Sequence, residues 1–217
     1  MINTLPDYCP QSVPQVLTTA PGLREKVSPE GKLLPFPGNT VVFLLTQEEK
    51  EKIAAIRDRL TVMCPHMFGE DLESDTFHVT LHDLANGTLL SQREEMATLA
   101  KTRLDTIRSQ SLAPIPMQAT WSFNMVNTSV VLGLEPIGEE AWQSLDSLYE
   151  QFQQVRFLDY ALTPHITLAY YRPGIYGEAE TEKLRAVLKP IDLQITLHPE
   201  RLVLQDFDHM NAYHTVY

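Results

Sequence analysis

The chain has 217 residues, 43% of them hydrophobic and 21% charged, the proportions of an ordinary globular protein that buries roughly 70% of its unfolded surface. Seventeen Lys and Arg against 28 Asp and Glu leave a formal net charge of −11, which argues against long duplex nucleic acid as a partner, because its phosphates need a basic footprint. There is no apolar run of about 18 residues and no basic-then-apolar leader, and the two cysteines, Cys9 and Cys64, have no metal-ligand spacing, so the reading is a cytoplasmic protein in a reducing compartment, away from membranes.

Residues 1–37 carry seven of the fifteen prolines. Proline fixes φ and lacks an N–H, so this stretch reads as an irregular arm on a body formed by 38–217. Asn39–Leu45 is a short β-branched run, a buried strand. Thr46 and Glu49 have capping-box spacing. Ile53, Ile56, Leu60 and Met63 follow at helical spacing, which predicts a helix from Gln47 to Met63. Thr76–Leu84 is a second strand. Ser91 and Glu94 predict another capping box, opening a helix striped by Met96, Leu99, Leu104 and Ile107. Met117–Val126 alternates, with Gln118, Thr120, Ser122 and Asn124 on its polar face.

The order then repeats. Thr128–Leu134 reads as a strand, and Trp142 to Phe152 stripe a helix. His165–Tyr171 is a strand, Glu178–Leu188 a helix, and Leu202–Phe207 a strand with Asp192–Leu197 and Met210–Tyr217 as sheet partners. The tetrapeptides His78-Val79-Thr80-Leu81 and His165-Ile166-Thr167-Leu168 share one pattern at an offset of 87 residues (165 − 78). The helices that follow them start near Ser91 and Glu178 at the same offset. This predicts an α+β fold, a bilobal pseudo-symmetric duplication whose mostly antiparallel sheets line a central cleft with helices outside.

Residues i and i+2 of a strand share a face. Each motif therefore presents an imidazole and a hydroxyl together, and two such strands across a cleft surround one small volume. Histidine titrates near 6.5, so one ring can take a proton from an attacking oxygen while the other delivers one to a leaving oxygen. The hydroxyls of Thr80 and Thr167 can donate to phosphate oxygens. This is phosphoester cleavage without a metal or cofactor, and the pseudo-symmetry lets either histidine be the base.

Two His-apolar-Thr-apolar motifs, one per half, resemble the signature of the 2H phosphoesterase superfamily, which includes RNA 2′,3′-cyclic phosphodiesterases and the 2′-5′ RNA ligase-like proteins. Phe36-Pro37-Gly38-Asn39-Thr40 also resembles a bacterial branch of it. The resemblance implies opening of a 2′,3′-cyclic phosphate on a nucleotide or short RNA end, with His78, Thr80, His165 and Thr167 as the catalytic set; a monomer is expected. Alternatives are 2′-5′ phosphodiester cleavage or RNA-end ligation at the same residues, or a non-catalytic nucleotide-binding module.

Further substrate contacts are expected from period-2 alternation. His82 falls on the face of His78 and Tyr171 on that of His165, while Ser122 and Asn124 border the cleft. No spacing places a metal ligand set around His82. Trp121 and Trp142 are expected in the core.

Overall fold

In the computed structural model, which describes residues 2, 13–87, 90–188 and 190–217, the elements are β1 (Leu17–Thr18), β2 (Gly38–Leu44), α1 (Gln47–Met63), β3 (His78–Asn86), α2 (Leu90–Arg108), β4 (Ile115–Met125), β5 (Ser129–Pro136), α3 (Glu139–Gln153), β6 (His165–Tyr170), β7 (Ile175–Tyr176), α4 (Glu178–Val187), β8 (Pro190–Leu197), β9 (Leu202–His209) and β10 (Ala212–Thr215). The reading of Cys9, Pro6 and Pro10 lies outside the described residues. Two antiparallel four-stranded sheets, ordered β10-β9-β2-β3 and β6-β5-β4-β8, carry the two motif strands on their edges. The fold class is α+β with two pseudo-symmetric lobes. β3 and β6 contact each other, so the motif-bearing edges of the two lobes meet.

The halves exchange strands. β4, the third strand of the first half, pairs with β5 and joins the second sheet, whereas β9 joins β2 in the first. The cause is local. A turn at 125–128, in which the Thr128 N–H donates to the Met125 carbonyl, places Val126 (φ 42°) and Asn127 (φ 58°) in the left-handed region. A short turn of that hand forces its flanking strands into one hairpin. The residues expected as a partner of Leu202–Phe207, Asp192–Leu197, pair with β4 for the same reason. The 87-residue offset holds for the histidines but not for the third strand, whose pairings make Phe123 the counterpart of Val203.

Helix α1 starts and ends where its sequence says. Thr46 Oγ1 accepts from the Glu49 N–H at 3.3 Å, and Glu49 Oε2 accepts from the Thr46 N–H at 2.7 Å. These satisfy two of the donors that a helix start leaves unpaired. Glu49 Oε1 also accepts from the Thr196 N–H, tying this helix of the first half to β8 of the second sheet. Helix α2 begins at Leu90, so Ser91 lies inside its first turn rather than at the cap.

β-Bulges decide which side chains face the cleft, two in β3 and one each in β6 and β4. Pairing runs Val41↔His82 and then Val42↔Thr80, which leaves Leu81 extra in β3. In β5–β6 it runs Val130↔Ala169 and then Val131↔Thr167, which leaves Leu168 extra. In β4 it runs Ala119↔Leu134 and then Trp121↔Gly133, which leaves Thr120 extra. An extra residue shifts the alternation beyond it by one. On the inner faces the rows are Thr80–Val42–Val203 and Thr167–Val131–Phe123, an apolar floor shared by both halves. On the outer faces Leu81, Ile166, Leu168 and Leu132 are buried in the main core beneath the helices.

The proline-rich arm is irregular over most of 13–37, yet it is anchored. Leu17, Leu23 and Val27 are fully buried, β1 pairs with β7, and Thr181 Oγ1 donates to the Gln15 carbonyl at 2.8 Å.

Candidate active site

His78 and His165 open their strands at the mouth of the cleft and line one cavity of about 170 Å³ together with Thr80 and Thr167. The two rings are held alike. His78 Nδ1 lies 2.7 Å from the carbonyl oxygen of Thr76, and His165 Nδ1 lies 2.7 Å from that of Thr163. A carbonyl only accepts, so each Nδ1 carries the hydrogen, and the neutral ring keeps its lone pair on Nε2. The bonds reach back two residues in both halves, so one backbone geometry orients both imidazoles. Tyr213 packs edge-on against His78, ring centres 4.8 Å apart.

Burial lowers the pKa of both rings. His78 is pushed down to about 4 by desolvation, against the Thr76 carbonyl, with a smaller lowering from the charge of His165. His165 is lowered by desolvation, against its bond to Thr163 and the carboxylate of Asp83. Both shifts favour the neutral ring in the free protein at pH 7. An anion between the rings would supply the charge that stabilises one imidazolium.

The alternation shift explains why the four expected substrate contacts lie elsewhere. Beyond Leu81, His82 turns to the helix side and is 1% exposed; its ring packs 5.3 Å from Tyr149 and 6.0 Å from Phe152, and Nδ1 bonds the Asp83 carbonyl. Beyond Leu168, Tyr171 is fully buried and stacks on Phe68 at 5.4 Å. Beyond Thr120, Ser122 and Asn124 are buried on the outer face. Ser122 pairs with Leu132 and faces the Leu60 side of α1, and Asn124 donates to Asn127 Oδ1 at 2.8 Å. Trp121 and Trp142 are only partly buried, and neither is a core residue.

The residues that the bulges turn inward are Asp83 and Tyr170, at matching places after the two motifs. Both line the cavity, as do Asn86, Phe207 and, from the arm, Lys26 and Phe36. Asp83 Oδ2 accepts from the Tyr160 hydroxyl at 3.2 Å. A bulge leaves no mark in one sequence, and Lys26 reaches the cavity across a contact with a strand more than a hundred residues away, so neither was legible beforehand. Among the described residues, no three His, Cys, Asp or Glu side chains converge as a metal site, and no helix is long and apolar enough to cross a membrane.

No protein-family model and no curated protein sequence matches the chain. Solved structures do. A conserved protein of unknown function from Agrobacterium tumefaciens has 18% identity over 92% of both chains, with a TM-score of 0.66. E. coli LigT in complex with 3′-AMP has 14% identity over 84% of this chain and 96% of that one, with a TM-score of 0.54. A structure described as a phosphoesterase has 13% identity over 84% and 94%, with a TM-score of 0.51. At these identities the likeness is one of architecture: the chain shares the fold of these proteins, with a histidine-threonine motif on the inner edge of each lobe.

Proposed function

We propose that the protein is a phosphoesterase that opens 2′,3′-cyclic phosphates of nucleotides or short RNA ends by paired-histidine acid–base catalysis. The observation that carries the reading is the matched pair of Nδ1-anchored imidazoles in one cavity. One neutral Nε2 takes a proton from the attacking water as its oxygen forms a bond to phosphorus. The other ring, protonated once the phosphate anion sits beside it, gives its proton to the ribose oxygen as the ring P–O bond breaks. Thr80 and Thr167 donate to the non-bridging oxygens. The product is a phosphate monoester, and the two histidines have exchanged roles. A net charge of −11 and a cavity of about 170 Å³ suit a small nucleotide or a chain end, and the E. coli relative was solved with 3′-AMP.

The test is phosphorus NMR of 2′,3′-cyclic nucleotides, ADP-ribose cyclic phosphate and 2′-5′ oligonucleotides incubated with the protein, with and without EDTA. The expected result is conversion of a cyclic resonance to a monoester at a rate unchanged by chelation. Binding without turnover of any of them would sink the catalytic reading, and loss of turnover in EDTA restored by one divalent ion would sink the acid–base scheme.

The lowered pKa values set the direction of the pH dependence. kcat/KM reports the free protein, where both rings bind their protons below the ordinary 6.5. The singly protonated pair is then most abundant on the acid side, so both limbs of the kcat/KM bell are expected below pH 6.5. In the complex the phosphate anion favours imidazolium, so the basic limb of kcat is expected at higher pH than that of kcat/KM. Steady-state rates across pH 4–9 check this, and coincident limbs for the two parameters would contradict it.

A further inference from the structure

The cavity that holds the two histidines has an ammonium in its wall, and that ammonium comes from the arm rather than from the duplicated body. Lys26 lines the cavity. Its Nζ lies 4.8 Å from the centre of the Phe36 ring and 5.8 Å from that of Tyr170, and among the described residues it enters no salt bridge. Aromatic faces hold a cation in place without neutralising it.

The position is built. The Leu34 N–H donates to the Lys26 carbonyl at 2.8 Å, and Val27 bridges Leu33, closing a loop around Gly31 at φ +89°. That loop is clamped from the body. The Gly31 carbonyl accepts from the Glu70 N–H at 2.7 Å, and Arg172 Nε donates to the Pro29 carbonyl at 2.7 Å. At Gly69 a Cβ would meet the Gly31 oxygen at 2.6 Å, so the arm approaches as closely as a glycine allows.

Lys26 is displaced from the chemistry along the strand. It sits over Tyr170, whose β5 partner Ser129 lies two residues from Val131, the partner of Thr167, a step of about 7 Å at about 3.3 Å per residue. A phosphate held between the imidazoles does not span that gap. Asp83 lies in the same cavity, yet among the described residues no ion pair joins it to Lys26, so the ammonium stays available to an anion from outside.

We propose that Lys26 binds a second anionic group of the substrate, a phosphate monoester remote from the cyclic phosphodiester, and so makes the protein selective for cyclic phosphoesters that carry a second phosphate. The proposal rests on the assignment of His78 and His165 as the pair flanking the reacting phosphorus.

The experiment compares adenosine 2′,3′-cyclic phosphate with the same compound bearing a 5′-phosphate, and reads the ratio of kcat/KM within each variant, which does not depend on the fraction folded. Wild type should favour the 5′-phosphorylated compound by about tenfold or more, about 1.4 kcal/mol. Lys26→Met should bring the ratio to about 1, and Lys26→Arg should retain most of it. A binding arm needs no turnover: by calorimetry, adenosine 3′,5′-bisphosphate should bind wild type at least about tenfold more tightly than 3′-AMP, and Lys26→Met should abolish the gap. A gap in binding without hydrolysis of either cyclic compound would refute the catalytic reading and leave the Lys26 subsite standing. No preference in wild type, or a preference that survives in Lys26→Met, would overturn the proposal, as would an equal loss on both compounds.

Discussion

Replacing His78 or His165 by Ala is expected to lower kcat/KM for the cyclic substrate by about 10²–10⁴, the range for one lost proton transfer. That corresponds to about 3–5.5 kcal/mol of barrier. Neither ring has a substitute. The other imidazole of the described chain that is near in sequence, His82, is buried on the opposite side of β3 between Tyr149 and Phe152. Asp83 lines the cavity but lacks the Nδ1 anchoring that aims the two rings. The double variant His78→Ala/His165→Ala should lose little more than the worse single one, because attack and departure are two ends of one displacement and groups acting as a unit are not additive. Steady-state rates for the three variants, with thermal melts to show that each is folded, check this. One single variant near wild-type rate would mean that the pair does not share one phosphorus, and the mechanism would have to be rebuilt around the remaining histidine.

How far the sequence reveals such a site depends on the distance over which its signals act. The capping box at Thr46 and Glu49 and the span of α1 are local, set by side chains within four residues of one another, and they were legible. So were the two motifs, because His78 and Thr80, like His165 and Thr167, lie within one uninterrupted period of two. The same rule fails one residue later. Leu81, Leu168 and Thr120 are each an extra residue in a ladder, and a register shift is fixed by the partner strand, which the strand's own sequence does not contain. All four misplaced contacts, His82, Tyr171, Ser122 and Asn124, lie beyond one of these bulges. The residues that replace them in the cavity, Asp83 and Tyr170, sit at matching positions after the two motifs, so the bulge is as much a part of the duplication as the histidines. The strand exchange between halves has a similar origin. Two left-handed residues, one of them the β-branched Val126, close a hairpin that no residue preference would suggest.

Thr80→Val and Thr167→Val are each expected to cost about 10²–10³ in kcat, the range for one donor aimed at a developing oxyanion. Valine keeps the branched shape and removes the hydroxyl. It also suits the setting, because each threonine stands in a row whose next member is already a valine, Val42 in one half and Val131 in the other. The strand and the floor of the cavity should therefore survive, which separates lost chemistry from lost fold. The loss should appear in kcat more than in KM, since the non-bridging oxygens gain charge as the fifth bond to phosphorus forms and the hydroxyls hold them most strongly at that point. Serine at either position should recover most of the rate by restoring the donor. The halves supply equivalent threonines, so the two valine variants should fall within about tenfold of each other, a spread of about 1.4 kcal/mol. Rates within about twofold of wild type for both valine variants would show that the hydroxyls do not touch the reacting phosphate, and the charge would then have to be met by the imidazolium alone.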